Sequence, residues 1–303
     1  MILDPAKEKS WPPLPLAEWE DTRATLHMWM QMVGKLRLAL SPPLNHWWHV
    51  PLYVSARGLT TSAIPYRHGV FEAEFDFLEH ALKFRTSRGE TRSIPLAPCA
   101  VADFYREFLS ALASLEIEAK IWPMPVEIPN PVRFDKDTQH ASYDPVYAKR
   151  FWRILATIAP ILTEFRARFI GKSSPVHFFW GSMDLAVTRF SGRRAPDRPG
   201  ADAMTREAYS HEVLSVGWWP GGGDIQQPMF YAYGAPQPLG FRESPVRPAQ
   251  AFYHAQLGEF LVSYDDVRDS SDPKAAILDF AQSTYEAGAN LGNWDRAALE
   301  RKD

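Results

Sequence analysis

The sequence predicts an α+β fold of two similar halves, each a mostly antiparallel sheet covered by helices. Three observations carry this. Long stretches with apolar residues at helical spacing are interspersed with shorter stretches that alternate with period two or are rich in β-branched and aromatic residues. Two strand-like stretches, 46–57 and 177–190, are strongly aromatic. The order long helix, Ser-Pro break, aromatic strand, hairpin, helix occurs twice, which suggests internal duplication. The expected organisation is an N-terminal arm (1–16), a first α+β half (17–122), a linker (123–143) and a second half with C-terminal helices (144–303).

The arm is polar and Pro-rich, and its Trp11 and Leu14 suggest that it lies on the body of the protein. A helix is predicted from about 16 or 21 to 40, where Thr25, Leu26, Trp29, Met30, Val33, Leu36 and Leu40 recur at helical spacing. Ser41-Pro42-Pro43 stops it. Residues 46–57 then read as a strand, with Pro51 at an edge or bulge. Phe71 to Phe77 alternates as a half-buried strand, and 82–86 and 91–96 form a hairpin around Ser87-Arg88-Gly89. Val101, Phe104, Tyr105, Phe108, Leu112 and Leu115 mark an amphipathic helix, and 118–121 reads as a further strand.

Several prolines and little periodicity make 123–143 the linker. Asp144-Pro145 opens a helix to about 169, with an N-cap and proline in the first turn, and Pro160 is a candidate kink. The second aromatic strand follows at 177–190, then a polar loop at 192–205 and strands at 211–219 and 229–233. Helices at about 246–262 and 273–300 complete the expected order. The duplication also has local matches: Gly34-Lys35 with Gly171-Lys172, His46-Trp47-Trp48 with His177-Phe178-Phe179, Arg57 with Arg189, and Phe104-Tyr105 with Phe252-Tyr253.

Composition excludes several function classes. With 46% hydrophobic and 23% charged residues the chain is ordinary globular material rather than disordered. The net charge of -3 and the lack of a basic stripe argue against nucleic-acid binding and a polybasic membrane anchor. No apolar run approaches the ~20 residues a spanning helix needs. Cys99 is the only cysteine, so no internal disulfide or multi-Cys metal site can form, and a small buried hydrophobe is its plain reading. The first 15 residues lack an apolar secretory core, so a cytoplasmic protein is expected.

The motifs NHWWHVPLYVSARGL, HASYDP, PVHFFWGSMDLAVTRFSGR and EAYSHE resemble a bacterial family catalogued only as a domain of unknown function. The resemblance runs from about Trp11 to Leu299 and implies a single-family bacterial protein. It implies no activity, cofactor or catalytic residue.

The functional reading therefore rests on chemistry. Asp184 lies in an apolar, aromatic segment, where an unpaired carboxylate is costly and needs a cation or several donors. It reads either as a structural ion pair or as a general base or ligand anchor. His46, His177 and His211 join it as acid-base candidates. His46 and His49 would diverge on a regular strand, and no His-Glu-x-x-His or Cys pair exists, so no metal or other cofactor is expected. Asn45, His49, Arg57, Trp48, Trp180, Arg189 and Tyr233 are the ligand-binding candidates, with Trp47 and Phe179 as further walls. Arginines suit an anionic group and indoles a flat or apolar one. The expectation is thus a small-molecule-binding protein or metal-independent enzyme with an aromatic-lined pocket between the halves. The alternative is a structural or interaction protein whose aromatic segments are core only. Three tempting motifs fail. Gly171-Lys172-Ser173 lacks the first P-loop glycine, where Arg166 stands, and follows a helix. Gly221-Gly222-Gly223 has no dinucleotide-binding spacing, and Gly181-Ser182 lacks the second glycine of a nucleophile elbow.

Overall fold

The computed structural model describes residues 10–302 except His68. Its chain divides into two compact units. The first takes the chain up to Pro43, His49–Ala156 and Phe178–Met183; the second takes Leu44–Trp48, Thr157–His177 and Asp184 onward. The fold is α+β, with helices and two antiparallel sheets.

The first unit is built on helix α1 (Leu16–Leu40). Every residue from Thr25 to Arg37 is buried, so this stretch of α1 has no solvent-facing side. A helix enclosed on all sides belongs to a core. Trp29, Met30, Met32 and Val33 are fully buried, and Trp29 stacks on Phe104 with ring centroids 4.3 Å apart. Trp11 and Leu14 of the arm are buried as expected, while residues 1–9 lie outside the described chain. The first sheet comprises β1 (Tyr53–Val54), β2 (Gly58–Thr60), β3 (Ile64–Tyr66), β4 (Gly69–Asp76), β5 (Ala81–Thr86) and β6 (Thr91–Pro95). Their order is β1-β2-β4-β5-β6, with β3 also on β4. Phe71 and Phe75 on β4 face Thr86 and Leu82 on β5, which places alternate residues in the core. Helix α2 (Val101–Ser114) buries Val101, Phe104, Tyr105, Phe108 and Leu112, the predicted stripe. Residues 123–143 are irregular around a 3-10 turn at Phe134–Lys136, and they bury Phe134 and Asp137.

Helix α3 (Pro145–Ala167) starts on the cap formed by the Asp144 carboxylate, which accepts the Val146 amide at 2.7 Å. It passes through Pro160. The second sheet comprises β7 (His177–Phe179), β8 (Asp184–Arg194), β9 (His211–Trp219), β10 (Met229–Ala235), β11 (Phe252–His254) and β12 (Glu259–Ser263). Their order is β11-β12-β10-β9-β8-β7. Helices α4 (Ala203–Ala208), α5 (Tyr264–Asp269), α6 (Pro273–Leu291) and α7 (Arg296–Leu299) complete this unit.

Strand register sorts the second sheet into two chemically different faces. Leu185, Val187, Arg189, Leu214, Val216, Trp218, Phe230, Ala232, Phe260 and Val262 share one face, which is apolar but for Arg189. Asp184, Thr188, Phe190, Ser215, Tyr231, Tyr233 and Glu259 share the other.

Four expected elements differ. The segment 46–57 is not a strand: Asn45–Trp47 is a 3-10 turn, and only Tyr53–Val54 pairs, because two consecutive left-handed residues reverse the chain. Residues 177–190 are two strands joined by a turn at 180–183, so Asp184 opens β8 rather than lying mid-strand. Residues 118–121 are irregular rather than a strand, and the described first sheet ends at β6. The predicted helix 246–262 is the β11–β12 hairpin, turned at Gly258 with φ 74°. Its β-forming Phe252-Tyr253 and Phe260-Leu261-Val262 override the helical spacing. The paired motifs His46-Trp47-Trp48 and His177-Phe178-Phe179 consequently differ in conformation, as do Phe104-Tyr105 and Phe252-Tyr253.

Candidate functional site

The second unit gathers three basic side chains around one turn. His46 and Trp47 have φ of 57° and 61°, a left-handed pair of non-glycine residues. Such a conformation costs roughly 1–2 kcal/mol per residue and persists only where neighbours hold it. Here the holder is α4. The buried His46 ring donates from Nδ1 toward the carbonyls of Glu207 at 3.1 Å and Ala208 at 3.2 Å. With its proton on Nδ1, the Nε2 lone pair is the acceptor, and Lys172 Nζ stands 2.6 Å from it.

Lys172 comes from the turn after α3, and that turn is tied down on both sides. Phe190 N donates to Lys172 O at 3.0 Å, Ser174 N to Thr188 O at 2.8 Å, and Arg166 Nε to Ser174 O at 2.6 Å. The Lys172 ammonium lies 5.5 Å from the Trp48 ring centre and 4.9 Å from that of Phe190. His211, at the start of β9, completes the group with its ring 5.5 Å from that of His46. Its Nδ1 is 3.0 Å from Ser210 Oγ.

The electrostatics are one-sided. Burial lowers the Lys172 pKa. Burial, then repulsion from Lys172, lowers that of His46 against the pull of its two carbonyl partners. Burial, then Lys172 and Arg194, lowers that of His211. Among the described residues none of the three has a carboxylate ion-pair partner. The neighbouring Glu212 is taken by Arg193 at 2.7 Å.

From this basic end an aromatic strip runs across the polar face of the sheet. Phe190, Val213 and Ala235 form a small buried cluster that Trp48, Tyr209 and Tyr233 flank. The Tyr209 and Tyr233 hydroxyls are 3.0 Å apart, and the Tyr233 ring stacks on Tyr231 at 6.2 Å. The Tyr231 hydroxyl donates to the Asp184 carboxylate, which is nine-tenths buried. Burial, and then the Asp184 charge, raises both the Tyr231 phenol and Glu259, the latter to about 7. The face therefore carries bases at one end and acids at the other, with tyrosines between.

The sequence candidates separate accordingly. The second unit holds Asn45, which is exposed, and His46, Trp48, His177, Asp184, His211 and Tyr233. His177 is buried with its ring 6.0 Å from Trp48. Arg189, also in this unit, lies on the opposite, apolar face, where its guanidinium sits 3.5 Å from the Phe165 ring centre and 4.3 Å from that of Tyr285. The first unit holds His49, Arg57 and Trp180. The His49 carbonyl accepts Arg37 Nε at 2.9 Å. Arg57 is committed to Asp76 at 2.6 Å and Glu79 at 2.8 Å. Trp180 donates to Val50 O at 3.0 Å. Sequence reasoning missed Lys172, Tyr209, Tyr231 and Glu259. Lys172 figures in the sequence only in a failed P-loop and a duplication match, and the other three become neighbours of the candidates only through strand register or the packing of α4.

No group of three or more His, Cys, Asp or Glu that could hold a metal ion occurs among the described residues. No described helix is long and apolar enough to cross a membrane. The fold and site define an α+β protein with two antiparallel sheets and a basic, aromatic-walled cluster on the second. Residues 11–301 match DUF5996, a family of unknown function, and the chain belongs to that family. No curated protein and no solved structure matches it.

Proposed function

We propose that this protein binds a small anion bearing a flat or apolar portion, at the cluster of Lys172, His46 and His211. One observation carries the reading: three basic side chains are packed together with no carboxylate ion-pair partner among the described residues. Lys172 disfavours protonation of both histidines, and His211 disfavours that of His46, so the cluster lacks the negative charge that would let it ionise fully. An anionic ligand supplies that charge, and the half-buried Trp48 offers an aromatic surface beside it. Partial exposure of Trp48, Tyr209 and Tyr233 beside the basic cluster supports a binding role over a purely structural one. The proposal carries a bacterial, cytoplasmic setting, supported by the family resemblance and by a single free thiol, Cys99.

Titration with phenyl phosphate, followed by calorimetry in two buffers of different ionisation enthalpy, tests this. Saturable binding with proton uptake at pH 7 is expected, because the anion raises the depressed pKa values. Lys172→Met is expected to weaken binding at least tenfold. Inorganic phosphate should bind more weakly than phenyl phosphate. Binding that is unchanged in Lys172→Met, or no binding at millimolar phenyl phosphate, overturns the reading.

A further inference from the structure

The first unit carries a second polar feature, independent of the cluster above. His27, Gln31 and Lys35 recur every fourth residue on α1, which aligns them along one side of the helix. All three are buried. The first two are hydrogen-bonded. His27 Nε2 is 2.8 Å from Gly181 O, and the Gln31 amide donates to Val126 O and accepts from Val126 N, both at 2.8 Å. These bonds fix the 180–183 turn and the 122–127 segment against α1. Lys35, one turn further on, makes no hydrogen bond or ion pair with a described residue and is only 4% exposed. Two indoles flank it, with ring centres 5.3 Å (Trp122) and 5.8 Å (Trp180) from Nζ. Trp180 is held rigidly by its bond to Val50 O and by resting on Gly34, whose missing side chain makes room for the ring. Trp122 is 63% exposed, so the amine lies one ring away from solvent.

We propose that Lys35 is a nucleophilic amine that forms a Schiff base with a small aldehyde or ketone carrying a flat, apolar body. The chemistry suits the setting. A carboxylate partner would hold the ammonium form and suppress attack, and none is present among the described residues. Burial alone lowers the Lys35 pKa to about 8, which leaves about a tenth of the amine neutral at pH 7. The neutral Nζ attacks the carbonyl carbon, and the new C–N bond forms as the carbonyl electron pair moves to oxygen. Proton transfer from nitrogen to that oxygen gives a carbinolamine, and protonation of its hydroxyl lets water leave. The product is a protonated imine. It keeps the positive charge that the two indole faces favour, so the cation–π environment is retained through the reaction. Trp122 then offers a face to the body of the carbonyl compound.

Benzaldehyde with sodium cyanoborohydride at pH 7, followed by peptide mass spectrometry of the full-length protein, reads this directly. Lys35 is expected to be trapped as the reduced adduct at least tenfold faster than the exposed Lys120. Acetaldehyde, which has no flat body, should label Lys35 at least threefold more slowly than benzaldehyde does. Lys35→Arg keeps the charge and should abolish the preferential adduct while leaving phenyl phosphate binding at the second unit intact. A Lys35 peptide that stays unmodified, or reacts no faster than Lys120, overturns the proposal. Equal labelling by the two aldehydes overturns its aromatic part.

Discussion

Glu259, half-buried, and His27, buried, show how single groups write opposite pH dependences into one fold. Burial, then the Asp184 charge, raises Glu259 to about 7. Between its ordinary value and about 7 the folded protein keeps a proton that the unfolded chain has released. Its contribution is therefore fully present at low pH and is lost as pH rises to about 7, up to about 3 kcal/mol in total. His27 runs the other way. Burial, then Arg23, lowers it to about 4, so the folded protein lacks a proton that the unfolded chain binds below the usual histidine range. Its stabilisation grows as pH rises from about 4 to that range. The two slopes overlap, and wild-type stability alone would hide both. Urea denaturation of wild type and Glu259→Gln between pH 4.5 and 7.5 separates them. The variant is expected to gain on the wild type steadily up to about pH 7 and to hold that gain above it. A difference that does not change with pH would remove Glu259 from this account.

The residue scale also shows where sequence reading reaches its limit. His46, Trp48, His211 and Asp184 stood out because they are polar or aromatic in unusual company along the chain. Tyr231 and Glu259 did not, because their partner Asp184 lies two or three strands away in the sheet and only register brings them to one face. Arg189 misled for the related reason that periodicity gives alternation but not which face is apolar. Its buried guanidinium rests on the Phe165 and Tyr285 rings, on the face away from the other candidates.

Among the elements, α1, α2, α3 and the β5–β6 hairpin were legible because apolar spacing and turn residues agree there. The 46–57 segment was not, since the same aromatic residues that favour a strand are bent into a left-handed turn by tertiary hydrogen bonds to α4. Gly34 shows a comparable hidden constraint within α1. Helix propensity alone makes Gly→Ala favourable by about 1 kcal/mol. Here a methyl group would come within 2.3 Å of the Trp180 ring. Gly34→Ala is expected to destabilise the protein by about 1–3 kcal/mol, the range for overpacking a close-fitted core. Chemical denaturation followed by tryptophan fluorescence checks this, and a stabilised variant would show that Trp180 yields freely.

At the scale of the whole molecule, each unit borrows a short segment from elsewhere in the chain. Phe178–Met183 belongs to the first unit, where Leu52 and Phe178 exchange backbone hydrogen bonds of 2.9 Å and Gly181 O accepts His27. A fragment ending at residue 156 lacks all of these partners; one ending at 183 has them. Hydrogen exchange is expected to show α1 amides protected at least tenfold more in fragment 1–183 than in 1–156. Equal protection would mean that the borrowed turn adds nothing to the first unit.

The borrowed turn has a consequence for synthesis. A ribosome that has translated Ala156 has made nearly all of the first unit, yet the Trp180–Gly181 turn that caps α1 does not exist. Translation from there to Met183 takes on the order of a few seconds at roughly 5–20 residues per second. Throughout that pause His27 and Gly34 face the solvent or a provisional neighbour. The nascent chain thus waits with one side of its central helix uncovered, and this interval is where a holding chaperone would act on it.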